Sequence, residues 1–173
     1  QVQAVSQLKP DLVFFADYRS STIAAFARQL RASGSAVRLC SQTIAFTPDL
    51  IEQGGDAVQG LTLCEYFHPQ LETPEMKAFM AAFRRKFGDL TPPYAVANTY
   101  DAFLAVRDAL QSSDSREGVR EFLAASGLSR PPFNGISGRF AFGKRLDARP
   151  LWLIEVREGR FQLVGPPPPE AAH

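Results

Sequence analysis

The first 65 residues alternate between short apolar runs and segments with helical spacing, and this alternation constrains the fold more than any other feature. Three apolar runs predict strands, at residues 12–16, 37–40 and 61–64. The first run has no polar interruption, which is typical of a strand covered on both faces. Ser20 or Ser21 can cap a helix that carries Ile23, Phe26 and Leu30 at helical spacing. Strands joined by such helices pair in parallel with right-handed crossovers, so the sequence predicts a doubly wound α/β unit.

The middle of the chain predicts three further helices. Thr73 is placed to cap the first of them, with Pro74 in its first turn. A helix over residues 94–110 is apolar on more than one side, and we therefore expect it to lie between two layers. Ser115 is placed to cap the third, short helix.

After these helices the apolar pattern changes to a period of two. Apolar and polar residues alternate from Ile136 to Phe142, which predicts one half-buried antiparallel strand. Two more strands, at 151–156 and 160–164, meet at Glu158-Gly159, which is a hairpin signal. The proline-rich residues 165–173 predict a disordered tail.

The composition excludes several classes of protein. A chain of 173 residues with 45% hydrophobic content can form one soluble globular domain or a piece of a larger one. Its net charge of +1 provides no field that would recruit nucleic acid, so no nucleic acid partner is predicted. No run approaches the roughly 20 apolar residues of a membrane span. Gln1 opens no signal segment, and we expect any export signal to have been removed or to lie outside this chain.

The two cysteines are too few for a disulfide scaffold. Cys40 and Cys64 fall on neighbouring predicted strands. Parallel neighbours rarely bring Cα atoms to about 4.4–6.8 Å with suitably directed side chains, although an oxidising compartment favours the bond where geometry permits. We therefore expect two buried, reduced thiols.

The residues offer no convincing catalytic or metal constellation. His68 is expected to be exposed and without metal partners, and the other histidine, His173, lies in the tail. Tyr100 and Asp101 in mid-helix predict a packing and hydrogen-bonding unit, because no histidine, cysteine or second acid accompanies them. The sequence therefore predicts a binding protein and not an enzyme, with no metal and no cofactor.

Ligands of open parallel sheets bind beyond the carboxyl ends of the strands. The residues that follow the three predicted strands are therefore the candidate ligand-binding residues: Asp17, Tyr18, Arg19, Ser20, Gln42, Glu65 and Tyr66. Tyr18 could stack on a solute, and a surface tyrosine packed on its own helix fits the same pattern. Asp17 could supply a negative charge and Arg19 could bind a carboxylate, and either could equally be a solvated loop charge.

Several stretches, taken in order, resemble the later part of the type I periplasmic solute-binding proteins, the branched-chain amino acid and amide receptor family. The stretches are Pro10–Tyr18, Lys77–Gly88, Tyr94–Ala102, Phe133–Phe142 and Val156–Phe161. The fourth of them is similar to the family pattern f.GvtG...F. No single motif is decisive, but their order and spacing over residues 4 to 164 are specific together.

The resemblance implies half of a two-lobe receptor that binds its solute in the cleft between lobes. Residues 1–90 would be the α/β unit of the second lobe, residues 91–145 would return toward the first lobe, and residues 146–164 would form terminal strands of the second lobe. The fold expected is thus an α/β doubly wound parallel sheet with C-terminal antiparallel strands, incomplete relative to the family. The missing first lobe is then a partner, and a homodimer is a second way to cover the exposed surface.

The resemblance also implies a function for the predicted site. Tyr18 stands where the family places an aromatic residue against the solute, whereas Gln42 stands near an acid that pairs with the ammonium of an amino acid. The neutral Gln42 puts an α-amino acid ligand in doubt. The function implied is that of a periplasmic or extracellular receptor that delivers a branched-chain amino acid, an amide or a similar small polar solute to an ABC-type permease. The alternative is the ligand-sensing domain of a membrane signalling receptor, with a receptor transmembrane subunit as its partner. Half of such a cleft is expected to bind solute weakly or not at all.

Overall fold

The computed structural model describes residues 1–17, 19–143 and 149–164. By its internal contacts the chain divides into two compact units, Gln1–Glu65 with the segment that begins at Leu151, and Tyr66–Pro150. These limits differ from the lobe boundaries predicted after residues 90 and 145, and residues 66–90 group with the second unit. Contacts of this kind do not assign a unit to a lobe, so the lobe assignment stays a prediction. The predicted tail at 165–173 lies outside the described residues.

The first unit is a five-stranded sheet with helices. Its elements are α1 (Val2–Leu8), β1 (Leu12–Phe15), α2 (Ser20–Ala32), β2 (Arg38–Ser41), α3 (Pro48–Gly54), β3 (Thr62–Glu65), β6 (Trp152–Arg157) and β7 (Arg160–Leu163). The strand order is β1-β2-β3-β6-β7. The first three strands are parallel and the last two join antiparallel, as predicted.

One face of this sheet carries the core of the unit. Leu39, Leu63 and Ile154 alternate with outward residues and are almost fully buried. Phe15 packs edge-on against Phe26 of α2, with ring centroids 5.1 Å apart. The prediction that the first strand is covered on both faces is wrong, because β1 is an edge strand and Phe14 on its other face is 56% exposed.

The two cysteines lie on that more open face. Cys40 of β2 pairs in register with Thr62 of β3, so Cys64 follows two residues further along on the same side. Both thiols are free, as predicted. The expectation that both are buried is wrong, since Cys64 is exposed and Cys40 is half-buried.

The second unit is mainly helical. Its elements are α4 (Pro74–Phe87), α5 (Tyr94–Ser112), α6 (Arg116–Ala125), β4 (Phe133–Gly135) and β5 (Gly138–Phe140). The predicted caps are confirmed: the Thr73 hydroxyl accepts a hydrogen bond from the Met76 amide at 3.2 Å, and the Ser115 hydroxyl accepts one from the Gly118 amide at 3.0 Å. Helix α5 buries one side, which carries a row of small residues and Asp101. The second layer, which was predicted to cover its other side, is not found among the described residues. Phe103 on that other side is 67% exposed.

The strand predicted from Ile136 to Phe142 is confirmed over Gly138–Phe140, which is β5, and is wrong at its start, where the chain forms a turn. β4 and β5 pair antiparallel with Gly135 opposite Gly138, so Ile136 and Ser137 form the turn. The carboxylate of Asp101 accepts hydrogen bonds from the amides of Ile136 at 2.7 Å and Ser137 at 3.2 Å, and also from the Ser137 hydroxyl. A buried carboxylate thus fixes a turn at the place where the alternating pattern predicted the start of the strand. The hydrogen-bonding role that the sequence predicts for Asp101 is thereby confirmed.

Candidate functional site

Parallel strands bring their carboxyl ends to one edge of a sheet, and β1, β2 and β3 do so here. Phe15 pairs with Ser41, and Ser41 pairs with Leu63, so the strand ends are level to within about two residues. The polar residues at this edge, here called the sheet edge, are Asp17, Arg19, Ser20, Gln42 and Glu65. The structure therefore brings five of the seven candidate residues to a common edge.

Two side-chain hydrogen bonds tie the strand ends together. The Ser41 hydroxyl donates to the carbonyl of Phe15 at 3.2 Å, and the Thr43 hydroxyl donates to the carbonyl of Cys64 at 3.4 Å. Each bond joins one strand end to the next strand. The backbone of the sheet edge is thereby cross-linked, which is what a pre-formed binding surface requires.

Asp17 shapes the loop that leaves β1. Its carboxylate accepts a hydrogen bond from the Arg19 amide at 2.8 Å, and Arg19 is the N-cap residue of α2. The prediction that Ser20 or Ser21 caps this helix is wrong, because the chain enters the helix one residue earlier and no side chain caps it. Asp17 thus has a structural role that uses one of its oxygens. Tyr18 lies outside the described residues.

Two longer side chains of the sheet edge, Arg19 and Gln42, make no side-chain hydrogen bond or ion pair with other described residues. Arg19 is exposed, and its guanidinium makes no ion pair within the described residues. Gln42 is half-buried and precedes a single 3-10 turn, Thr43–Ala45, whose last amide donates to the Gln42 carbonyl at 3.0 Å. A guanidinium and a neutral amide suit a solute with carboxylate or amide oxygens.

Glu65 ends β3 and is fully buried, so its side chain is less accessible than the sequence led us to expect. It lies directly opposite Trp152, the first residue of the antiparallel strand β6. Because β6 runs against β3, its beginning lies at the sheet edge. The indole Nε1 of Trp152 is buried and has no hydrogen-bond partner within the described residues.

Trp152 is a residue near the sheet edge that the sequence pattern does not predict. Its direct neighbours Leu151 and Leu153 are apolar, so the sequence indicates an ordinary packing residue of a terminal strand. Only the strand order places it beside the end of β3. The signal available in the sequence was that it is the sole tryptophan of the chain, and this alone does not assign it a place.

Tyr66 is the first residue of the second unit and lies there against an arginine. The Arg149 guanidinium lies over the Tyr66 ring at 4.3 Å from its centroid and donates to the Asn98 side chain at 3.2 Å. One face of the ring is therefore occupied. The role predicted for Tyr66 in solute binding stays a prediction.

His68 and the possible metal ligands lie as follows in the structure. The expectation that His68 is exposed is wrong: it is 3% exposed, and its Nδ1 accepts a hydrogen bond from the Gln70 amide at 3.2 Å. Among residues 1–17, 19–143 and 149–164 no cluster of three metal-ligating side chains occurs. Over the same ranges no helix has both the length and the apolar character needed to cross a membrane.

A family model described as periplasmic binding protein matches residues 1–160 of the chain. No curated protein sequence gives a match. Among solved structures, the leucine-binding protein LivK of Thermotoga maritima is 27% identical, with a TM-score of 0.82 over 95% of this chain and 47% of its own. A putative branched-chain amino acid ABC transporter protein of Rhodospirillum rubrum is 28% identical, with a TM-score of 0.72 over 94% of this chain and 47% of its own.

A more distant structure shares the fold. It is an ABC transporter solute-binding protein of Rhodopseudomonas palustris in complex with benzoate, 19% identical, with a TM-score of 0.78 over 95% of this chain and 45% of its own. The chain therefore spans about half the length of the solved structures that it matches.

Proposed function

The chain belongs to the periplasmic binding protein family, and on that premise we propose that it is part of an extracytoplasmic receptor that captures a small polar solute for an ABC-type importer. The family consists of solute-binding proteins and not of enzymes. The observation that carries the proposal is the sheet edge, where polar side chains follow three adjacent parallel strands. The role in import is supported by the Rhodospirillum rubrum structure, which is described as a branched-chain amino acid ABC transporter protein.

The solute we propose is a branched-chain amino acid or a related carboxylate or amide. The leucine-binding protein of Thermotoga maritima supports the first of these. Gln42 is neutral and supports the second, because it offers an amide donor and an amide acceptor and no anion for an ammonium group. Arg19 would bind a carboxylate of either kind through parallel N–H groups.

We propose two partners for this chain, the remainder of the receptor and a permease. We assign residues 1–90 and 146–164 to one lobe and residues 91–145 to the other, with the remainder of the receptor closing the cleft. The lone chain is then half of a binding site. It leaves much of the solute in water, so its own affinity is expected to be about millimolar. A permease coupled to ATP hydrolysis would receive the solute from the closed receptor.

The experiment is a titration of the isotope-labelled chain followed by amide NMR, with leucine, isoleucine, acetamide and benzoate in separate series. The expected result is that one of these shifts the amides of Arg19, Gln42 and Glu65 in a saturable way, with a dissociation constant of about 1 mM or above. Gln42→Ala should weaken that binding about fivefold, because one or two hydrogen bonds to the solute are lost.

Gln59→Ala is the matched control for this titration. Gln59 precedes β3, so it lies at the opposite end of the strand from the sheet edge. Its removal should leave the affinity unchanged. If none of the four solutes gives saturable shifts at the sheet edge, or if the two variants lose affinity equally, the proposed site is contradicted.

A further inference from the structure

The second unit contains a cavity that the proposed function does not use. It lies between α5, α6 and the β4–β5 hairpin and has a volume of about 350 Å³. Pockets that hold small organic molecules occupy about 300–1,000 Å³. All of its lining residues fall between Asp101 and Phe140, within one unit. Among the described residues, its lining is therefore supplied by the second unit.

Three phenylalanine rings form its apolar wall. Phe122 of α6 lies 6.3 Å from Phe133 of β4, and Phe133 stacks on Phe140 of β5 at 5.5 Å between centroids. Each ring comes from a different element, so the rings hold one another in place across the hairpin and the helix. Such a wall favours a flat apolar body, since aromatic pairs prefer centroid separations of about 4.5–7 Å.

The acidic groups of the cavity are already bound to partners. The Asp101 carboxylate accepts hydrogen bonds from Ile136 and Ser137 on both of its oxygens. Asp108 accepts two hydrogen bonds from the Arg107 guanidinium, the shorter at 2.7 Å. These anions are therefore compensated, and they do not call for a cationic ligand.

Arg130 is the charged residue of the cavity lining that has no ion-pair partner among the described residues. Its guanidinium lies over the Phe122 ring at 3.7 Å from the centroid, and it makes no ion pair within the described residues. Stacking occupies one flat face of the guanidinium and leaves the N–H groups at its edge free to donate. This is the arrangement in which arginine binds a carboxylate with two parallel hydrogen bonds.

We propose that this cavity is a second binding site, separate from the sheet edge, and that it takes a small aromatic carboxylate. The carboxylate pairs with the edge of the Arg130 guanidinium, and the ring lies against the wall that Phe122, Phe133 and Phe140 form. The site needs both features of the ligand, because the phenylalanine wall provides no charge and Arg130 alone provides no enclosure.

The test is an amide NMR titration of the 173-residue chain with phenylacetate, and with the neutral phenylacetamide as the matched ligand. Phenylacetate should shift the amides of Phe133 and Asn134 in a saturable way at concentrations up to about 10 mM. Phenylacetamide should bind at least about tenfold more weakly, because the charge-assisted pair with Arg130 is lost. The sheet-edge amides of Gln42 and Glu65 report separately on the proposed function.

Two variants test whether the guanidinium of Arg130 is the group that binds the carboxylate. Arg130→Met should reduce phenylacetate affinity about tenfold, whereas Arg120→Met on α6 should not change it. Arg120 is paired with Glu117 and does not line the cavity. If Arg130→Met does not fold, the comparison of the two ligands on the unchanged chain decides the matter. Equal binding of phenylacetate and phenylacetamide, shifts confined to the sheet edge, or no saturable shift would overturn the proposal.

Discussion

Asp101 shows how a single buried carboxylate sets the course of the chain. It is 3% exposed and accepts three hydrogen bonds from the turn between β4 and β5. Asp101→Ala would leave the amides of Ile136 and Ser137 buried without partners. The expected loss is about 3 kcal/mol of unfolding free energy, measured by chemical denaturation.

Asp108→Ala is the control for that loss. Asp108 lies two turns further along the same helix, and its one side-chain partner among the described residues is Arg107, in a solvent-accessible pair. Its removal should cost about 0.5 kcal/mol or less. Equal losses in the two variants would show that Asp101 acts only through helix charge and not through the turn.

The positions of Cys40 and Cys64 predict how stability depends on pH and which thiol reacts first. Burial raises the pKa of the Cys40 thiol, and the neighbouring Cys64 raises it further. A raised pKa favours the neutral thiol in the folded state. Its contribution to stability is therefore present below the thiol pKa of the unfolded chain and is lost as the pH rises through the folded pKa.

Alkylation by iodoacetamide at mildly alkaline pH should modify Cys64 first, about threefold or more faster than Cys40, because Cys64 is exposed and the thiolate is the reactive form. Mass spectrometry of timed samples measures both rates. In Cys64→Ser, Cys40 should react faster than in the unchanged chain, since the neighbouring negative charge is gone. Faster modification of Cys40 than of Cys64 in the unchanged chain would refute this account.

At the scale of elements, the features that depend on local signals were predictable. The strands expected at 12–16, 37–40 and 61–64 lie within one residue of β1, β2 and β3. The caps Thr73 and Ser115 were predictable too, because a hydroxyl three residues before a helical amide is a local pattern.

Features that depend on distant residues could not be read from the sequence. The turn at Ile136 is held by an aspartate 35 residues away. Trp152 reaches the sheet edge only because β6 pairs antiparallel with β3. In each case the deciding partner is non-local, and an alternating pattern is the same whether its first residues belong to a strand or to the turn before it.

The helix caps give a prediction at this scale. Thr73→Ala should lower the unfolding free energy by about 1 kcal/mol, because an amide in the first turn of α4 loses its acceptor. Ser115→Ala should do the same for α6. Ser21→Ala in α2 is the control and should change stability by less than about 0.3 kcal/mol, since no side chain caps that helix. Denaturant unfolding measures all three, and a cost for Ser21→Ala equal to that of Thr73→Ala would show that cap bonding is not the cause.

For the whole molecule, each unit exposes apolar surface. In the first unit Leu12 and Phe14 project from the open face of the sheet. In the second unit Tyr100, Phe103, Val106 and Leu110 are exposed on α5 at spacings of three and four residues, so they lie along one side of the helix. Contiguous apolar surface of this kind marks a place where another polypeptide packs.

We therefore predict that the 173-residue chain associates with itself in solution through the exposed side of α5. Phe103→Lys places a charge in the middle of that row and should weaken association at least about tenfold, because an unpaired charge would be buried in the contact. Leu128→Lys is the matched control, since Leu128 is 60% exposed in the same unit but lies outside α5, and it should associate like the unchanged chain. Sedimentation equilibrium over a range up to about 100 μM measures the three constants. A chain that stays monomeric over that range, or a Leu128→Lys variant that loses association as Phe103→Lys does, would contradict the assignment of the contact to α5.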